Sequence, residues 1–476
     1  MESSATKETA KKSGDWLGQE PEVNESYVTK NIDSEIIIIR AGNAGLAAAA
    51  TASDYKLDVQ IFEKNAMIQQ TRHWFGAIDT MYTKQTGLTV DRGVLLNELG
   101  RYASNQCSQK VINVWMNESA EMVEWLDPIL TEAGMTCDFD ANPIPLMGGT
   151  SYHVSPMQHY YHGETADGKR IVRNEVLLKY IQDKGYDINF EHNLIKLIHD
   201  NDKVTGAYFK TKDGVVKATA SKAVILATGG YNGNSEMLRA CNPLVDKCVT
   251  AQVGAITNTG DGIKAALWAG ASKDSIGAPM IFDRGVVQPG VDAGIVEDDK
   301  GRAAFSNTYG QLNLGSQPLM KVNRNGKRFI NESSPYNDCC FAASHYDGGV
   351  FCQIFDSNLK ENVKRFNTTG CSVLSQITLE EGADKPIEEI YSKAIEEGLM
   401  FKADTLEELA DKLGFKGEAK ENLLAEIERN NTFFDNQKDE DFGKEAYRLS
   451  EIRTAPFFWL MVWWSYFNHC RRCTNR

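Results

Sequence analysis

A β-branched run, Glu35 to Ile39, leads directly into RAGNAG and then into LAAAATASDYK. The run has the composition of a buried parallel strand. The last segment is a strong helix former. DVQIFEK follows and reads as a second strand. Strand, glycine turn, helix and strand within about thirty residues is the setting a dinucleotide-binding turn requires. It commits the chain to an α/β fold built on a parallel sheet.

Each residue of the turn has a physical task. Gly42 lets the backbone approach a pyrophosphate, and Gly45 lets the helix press against the sheet. The helix N-terminus offers free N–H groups and partial positive charge to phosphates. Glu63 ends the second strand 21 residues after Gly42, where a carboxylate can accept hydrogen bonds from ribose hydroxyls. A plain βαβ unit with glycines for packing is the alternative. Arg40 departs from the pattern, because it stands where the first glycine makes the tight turn. It either meets the pyrophosphate or strains the turn and weakens the site, at a cost of ~1–3 kcal/mol. The second expectation implies that Arg40→Gly binds nucleotide more tightly.

The chain has 476 residues, 42% hydrophobic, enough for more than one domain and a sizeable core. A net charge of -14 argues against a nucleic-acid partner. The ten cysteines show no regular framework and read as buried free thiols in a reducing compartment. No long apolar segment reads as a signal peptide or a membrane span; the longest apolar run, FFWLMVWW, is too short. A cytoplasmic location is expected, or a periplasmic one if an export signal has been lost.

Two further turns carry small residues. AVIL ends in Ala227-Thr228-Gly229-Gly230, and NTGDGIKAALWAGA opens a helix with Asp261 at its start. Together with AGNAGLAAAA…FEKN, KVNRNGKRFINES and ADTLEELADKLG…DEDFGK…TAPFF, these motifs resemble the FAD-dependent fumarate reductase/succinate dehydrogenase flavoprotein superfamily over about residues 33 to 456. The resemblance implies a discontinuous Rossmann-like FAD-binding domain with an inserted α+β capping domain, and FAD as cofactor. It implies that Gly42, Asn43, Ala44 and Gly45 lie at the pyrophosphate, and that Glu63 holds the adenosine ribose with Lys64 beside it. Thr71, Gly76 and Ala77 would pass near the flavin. Ala227, Thr228, Gly229, Gly230 and Asp261 would close around the cofactor. The expected boundaries are a disordered lead-in over 1–32, FAD domain over 33–271, capping domain over 272–435, a return to the FAD domain over 436–456, and an aberrant tail over 457–476.

On the substrate side, QPLMKVNRNGKRFINESSPYN reads as a hairpin turning at Asn325-Gly326. Fumarate-reducing members carry an arginine proton donor eight residues beyond the arginine of this motif, where this chain has Tyr336. Fumarate is therefore not the expected substrate. RFINESSPY is similar to the ketosteroid dehydrogenases of the superfamily, whose tyrosine acts as base. Hydride transfer to carbon beside a carbonyl needs a proton moved at the neighbouring carbon, and a phenol can serve there. The small-molecule substrate is then an activated alkene or enone, with electrons from a separate donor protein, since no haem or iron–sulfur motif is present. Asp283 and Arg284 are weaker candidates for orienting substrate, with a surface ion pair as the alternative. His153, His159 and His162 lack metal-site spacing and read as a loop at the cofactor mouth. No metal is expected.

After TAPFF the composition changes abruptly, with three of the eight tryptophans in the last 18 residues. A shifted reading frame or a truncated product explains this better than a natural replacement. Loss of the last strand of the FAD domain should expose a sheet edge. The rival readings are a non-catalytic remnant that binds FAD weakly or not at all, and an ordinary NAD-dependent dehydrogenase.

Overall fold

The computed structural model describes residues 15–68, 74–87, 89–139, 158–200, 203–252, 256–274, 280–303, 312–366, 374 and 385–467. The strands in chain order are β1 (Val28–Ile39), β2 (Val59–Phe62), β3 (Trp74–Gly76), β4 (Thr136–Phe139), β5 (Gln158–His162), β6 (Ile188–Asn189), β7 (Asn193–Asp200), β8 (Lys203–Thr211), β9 (Gly214–Leu226), β10 (Ala251–Gln252), β11 (Met280–Val286), β12 (Met320–Val322), β13 (Phe351–Phe355), β14 (Met400–Ala403) and β15 (Phe457–Phe467).

The first sheet has the order β6-β2-β1-β9-β8-β7. Its centre is parallel: Ile36 to Ile39 of β1 pair with Val59 to Phe62 and with Ala223 to Leu226. Both faces of β1 are covered, which is why its end reads as a continuous apolar run. Ile38 packs with Leu46, Ala49 and Ala50 of helix α1 (Asn43–Asp54). Ile37 and Ile39 face the other way, against Phe62, Phe209 and Val216. Each fully buried isoleucine contributes roughly 1.5–3 kcal/mol.

Residues 15–32 are not the disordered lead-in expected from their polarity. Val28 already opens β1, Gly18 accepts a hydrogen bond from Trp268 Nε1 at 3.1 Å, and Glu20 pairs with Lys196 at 2.7 Å. Pairing with β9 lengthens β1 to 12 residues, and backbone pairing of this kind leaves little trace in hydropathy.

β8 covers β9 only as far as Thr219. Among the described residues no strand covers the free side of Ala220–Leu226, and Leu226 is 36% exposed. This is the kind of exposed sheet edge that invites pairing with a second molecule. Leu226→Lys is expected to lower concentration-dependent light scattering; unchanged scattering would clear this edge of blame.

The second large sheet runs β10-β15-β13-β12, with β11 and β14 also paired to β15. The start of the segment expected to be aberrant, Phe457–Phe467, is thus the strand that organises this sheet. Phe458 and Leu460 enter one core, Phe457 and Trp459 the other. The residues alternate between faces, but both faces are apolar, so no polar alternation marks the strand. Residues 436–456, expected to lead back to the first domain, make their polar contacts here: Asp439 with Arg328, and Lys444 with Glu332. Residues from Tyr231 to Val249 also pack into this sheet's core.

Candidate functional site

Helix α1 begins at the carboxyl end of β1, with Gly42 as its N-cap residue. A Cβ added at Gly42 meets nothing within 4 Å, so this side of the turn is open. Gly45 is the opposite case: its Cβ would stand 1.8 Å from the Arg40 carbonyl oxygen and 3.5 Å from Ala227 Cβ. The helix can lie this close to the sheet only without a side chain there. Asn43 and Ala44 are exposed at the start of α1, and the Asn43 side chain accepts a hydrogen bond from Asn174 Nδ2 at 3.0 Å.

The three small-residue turns converge. Ala227 N–H donates to Ile39 O at 3.0 Å, joining the ends of β1 and β9. Gly260 N–H donates to Gly230 O at 3.2 Å, and Gly233 N–H to Asn258 O at 2.8 Å. A Cβ at Gly262 would lie 2.1 Å from Thr228 Oγ1. Gly229 and Gly260 both have positive φ, 69° and 79°, a conformation suited to glycine. Lys64, just after β2, reaches Asp261 Oδ2 at 2.7 Å and Thr259 Oγ1 at 2.9 Å. Gly42, Asn43, Gly45, Glu63, Lys64, Ala227 to Gly230 and Asp261 therefore belong to one cluster of loops.

Glu63 is 1% exposed. It accepts hydrogen bonds from Ala41 N–H at 2.9 Å, Asn65 N–H at 2.9 Å and Asn65 Nδ2 at 2.7 Å. Burial lowers the pKa of the Lys64 ammonium and Arg40 adds to this, while Asp261 and Glu63 oppose it. Arg40 has φ 87°. In a residue with a side chain that left-handed conformation costs about 1–2 kcal/mol. The expectation of a strained turn thus has a concrete backbone angle behind it.

Thr71 lies outside the described residues. Gly76 is exposed at the end of β3, whereas Ala77 is fully buried. Tyr336 opens the helix Tyr336–Ala343, with Pro335 as N-cap; its side chain is outside the described residues. Asn337 Oδ1 accepts a hydrogen bond from Ile281 N–H at 2.8 Å and so fixes this helix start against β11.

Several expectations change. The second strand of the predicted hairpin does not form; Val322 and Arg328 make only an isolated bridge, although the turn closes with Gly326 N–H on Asn323 O at 2.9 Å. Arg328 is instead committed to a buried charge network: its Nη2 bonds Glu332 at 2.8 Å and Asp439 at 2.9 Å, all three buried. Asp283 and Arg284 are not a surface pair. They are 2% and 5% exposed and share Ser316 Oγ, at 2.8 and 2.6 Å, with Lys321 Nζ 3.5 Å from Asp283. Burial raises the Asp283 pKa. His159 and His162 belong to strand β5, not to a loop; His159 is buried against Thr80 at 2.9 Å. His153 lies outside the described residues. Sequence reading passed over Asn258, Thr259, Lys321 and Glu332. The first two stand immediately before the glycine of the third turn, which was the available signal.

A parallel sheet with a glycine-capped helix, an acidic residue ending the second strand and two further glycine turns in the same cluster defines a dinucleotide-binding architecture. The FAD binding domain family matches residues 35–345, and the chain belongs to that family. It is 25% identical over 442 residues to vinyl phenol reductase of Lactiplantibacillus plantarum, covering 90% of this chain and 83% of the relative. It is 26% identical over 353 residues to NADH:acrylate oxidoreductase of Vibrio harveyi, covering 73% of this chain but only 30% of that longer protein. The crystal structure of 3-ketosteroid Δ1-dehydrogenase from Sterolibacterium denitrificans has the same fold, with a TM-score of 0.63 at 17% identity, over 91% of this chain and 88% of that one. No helix among the described residues is long and apolar enough to cross a membrane.

The cluster suits the pyrophosphate of FAD: Gly42 leaves open space beside the N-terminus of a 12-residue helix. At the ribose end Glu63 is present, but Arg40 shares its surroundings.

Proposed function

We propose that this chain is an FAD-dependent oxidoreductase that moves a hydride between flavin N5 and an activated alkene or enone. The observation that carries the reading is the convergence of the turns at 42, 229 and 260 in a chain of the FAD binding domain family. The names of the relatives support the substrate class, since vinyl phenol and acrylate are both alkenes. Bound FAD would supply the hydride chemistry.

The chain's own residues hold the cofactor and move the proton. Gly42 to Gly45 take the pyrophosphate, Glu63 and Lys64 the adenosine side, and Ala227 to Gly230 with Asp261 the opposite wall. Gly76 and Ala77 would lie toward the flavin. Tyr336 donates the proton in reduction or accepts it in oxidation. It stands at the start of the helix Tyr336–Ala343. A separate donor protein supplies the electrons.

Purified protein should be yellow, bleach with dithionite and reoxidise on addition of an alkene such as a vinyl phenol. Colourless protein that binds NAD instead would end the flavin reading. Tyr336→Phe should keep its flavin spectrum and lose reductase kcat by on the order of a hundredfold. A variant that turns over at the wild-type rate removes Tyr336 from the chemistry.

A further inference from the structure

Arg40 does not point out of the loop cluster. It is 8% exposed. Its Nη1 lies 3.4 Å from Glu63 Oε1, and its Nη2 donates to Asn258 Oδ1 at 3.3 Å. The side chain therefore spans from the end of β1, past the carboxylate ending β2, to the turn before Asp261. Those are three parts of one loop cluster.

Both contacts are loose. Nη1 is within ion-pair range of Glu63 yet makes no hydrogen bond, and the Asn258 contact is long for an N–H···O bond. Glu63 does not depend on the arginine, because Ala41 and Asn65 already donate to both its oxygens. Positive charge is already supplied nearby by Lys64, which is anchored to Asp261 at 2.7 Å. The guanidinium thus contributes little to holding the walls, but it fills the space between them.

We propose that Arg40 is a latch across the adenosine end of the cleft and sets its preference among flavin nucleotides. The acidic residue ending the second strand of such a fold ordinarily accepts from ribose hydroxyls. Arg40 stands between that residue and Asn258, so an adenine nucleotide must displace it. The latch lowers affinity for FAD and ADP alike and leaves FMN, which lacks the adenosine half, unaffected. An arginine that served as a pyrophosphate ligand would do the reverse and raise affinity for ADP. The identity of the complete ligand rests on the flavin reading above; the latch itself concerns only the ADP half.

Calorimetric titration of wild type, Arg40→Gly and Asn258→Ala with ADP, FAD and FMN decides the matter. Arg40→Gly should bind ADP and FAD about tenfold tighter, with FMN unchanged. Asn258→Ala keeps the left-handed arginine backbone and removes one anchor of the latch, so it should gain about threefold for the same two ligands. ADP binding that is unchanged or weaker in Arg40→Gly overturns the latch. A gain in Arg40→Gly with none in Asn258→Ala assigns the effect to backbone strain and also overturns it. If ADP tightens while neither flavin binds, the latch stands and the flavin reading falls. If flavins bind and ADP affinity does not move, the flavin reading stands and the latch falls. Should Arg40→Gly not fold, Asn258→Ala decides alone.

Discussion

Gly45→Ala should abolish useful cofactor binding and destabilise the fold. The added Cβ would meet the Arg40 carbonyl oxygen at 1.8 Å and its carbonyl carbon at 2.9 Å. Both are backbone atoms just after the buried Ile37, Ile38 and Ile39 at the carboxyl end of β1, so neither can turn aside. Helix α1 must move off the sheet, opening the packing of Leu46, Ala49 and Ala50 beneath it. Overpacking of this kind costs roughly 3 kcal/mol. The displaced helix N-terminus no longer faces the other two turns, and FAD affinity should fall by on the order of a hundredfold. Gly42→Ala is the matched control. Its φ is -79°, which any residue adopts, and its Cβ points into open space. It should leave stability within about 0.5 kcal/mol while weakening FAD, because the methyl group enters the space kept for the pyrophosphate. Urea unfolding and FAD titration of the pair test this. Equal stability of the two variants would mean the helix is not seated as closely as described.

The second large effect is expected at Glu332. This carboxylate is 1% exposed and lies 2.8 Å from Arg328 Nη2 and 3.3 Å from Lys444 Nζ, with its other oxygen 2.9 Å from Arg328 Nε. Burial raises its pKa, but Arg328 and Lys444 more than offset this and hold it down at about 2. Burial lowers the Lys444 pKa to about 8 against the pull of Glu332. Glu332→Gln leaves two buried cations, Arg328 and Lys444, facing a neutral amide. Removing one partner from a buried ion network costs about 3–5 kcal/mol. The loss should appear in urea unfolding as a lower midpoint with unchanged slope.

The pH dependence has a definite sign. The folded pKa of Glu332 lies below its ordinary value of 4.5. The unfolded chain therefore takes up the proton first as pH falls. The stability that Glu332 contributes is complete above pH 4.5 and is lost between that value and about 2. Wild type should lose stability across this window more steeply than Glu332→Gln. Parallel acid curves for the two proteins would show that the carboxylate is not held as the structure has it.

These two sites differ in how far the sequence foretells them. The Gly45 contact is local. Strand, turn and helix adjoin in the chain, and the hydropathy period changes where the backbone changes direction. Gly42, Gly45 and Glu63 could be singled out because their spacing is fixed by the length of one helix and one strand. The Glu332 network is not local in the same way. Arg328 and Glu332 are neighbours in sequence, but Asp439 and Lys444 come from another part of the chain. A buried lysine reads like any surface lysine until the fold encloses it. At Arg328, where a second strand was expected, the side chain enters this network and the backbone makes only an isolated bridge with Val322.

The same division holds for the whole molecule. The amino-acid sequence by itself determined the βαβ unit, the three glycine turns and the acid closing the second strand, because those depend on periodicity, helix propensity and left-handed glycines. Tertiary structure alone decided that Phe457–Phe467 is the organising strand of the second sheet, since burial of Phe457 to Leu460 on both faces erases their alternation. It alone decided that Arg40 reaches Asn258, 218 residues away, and shares the carboxylate of Glu63. Local chemistry sets which turns form; what a side chain meets inside the cleft depends on how the sheet brings those turns together.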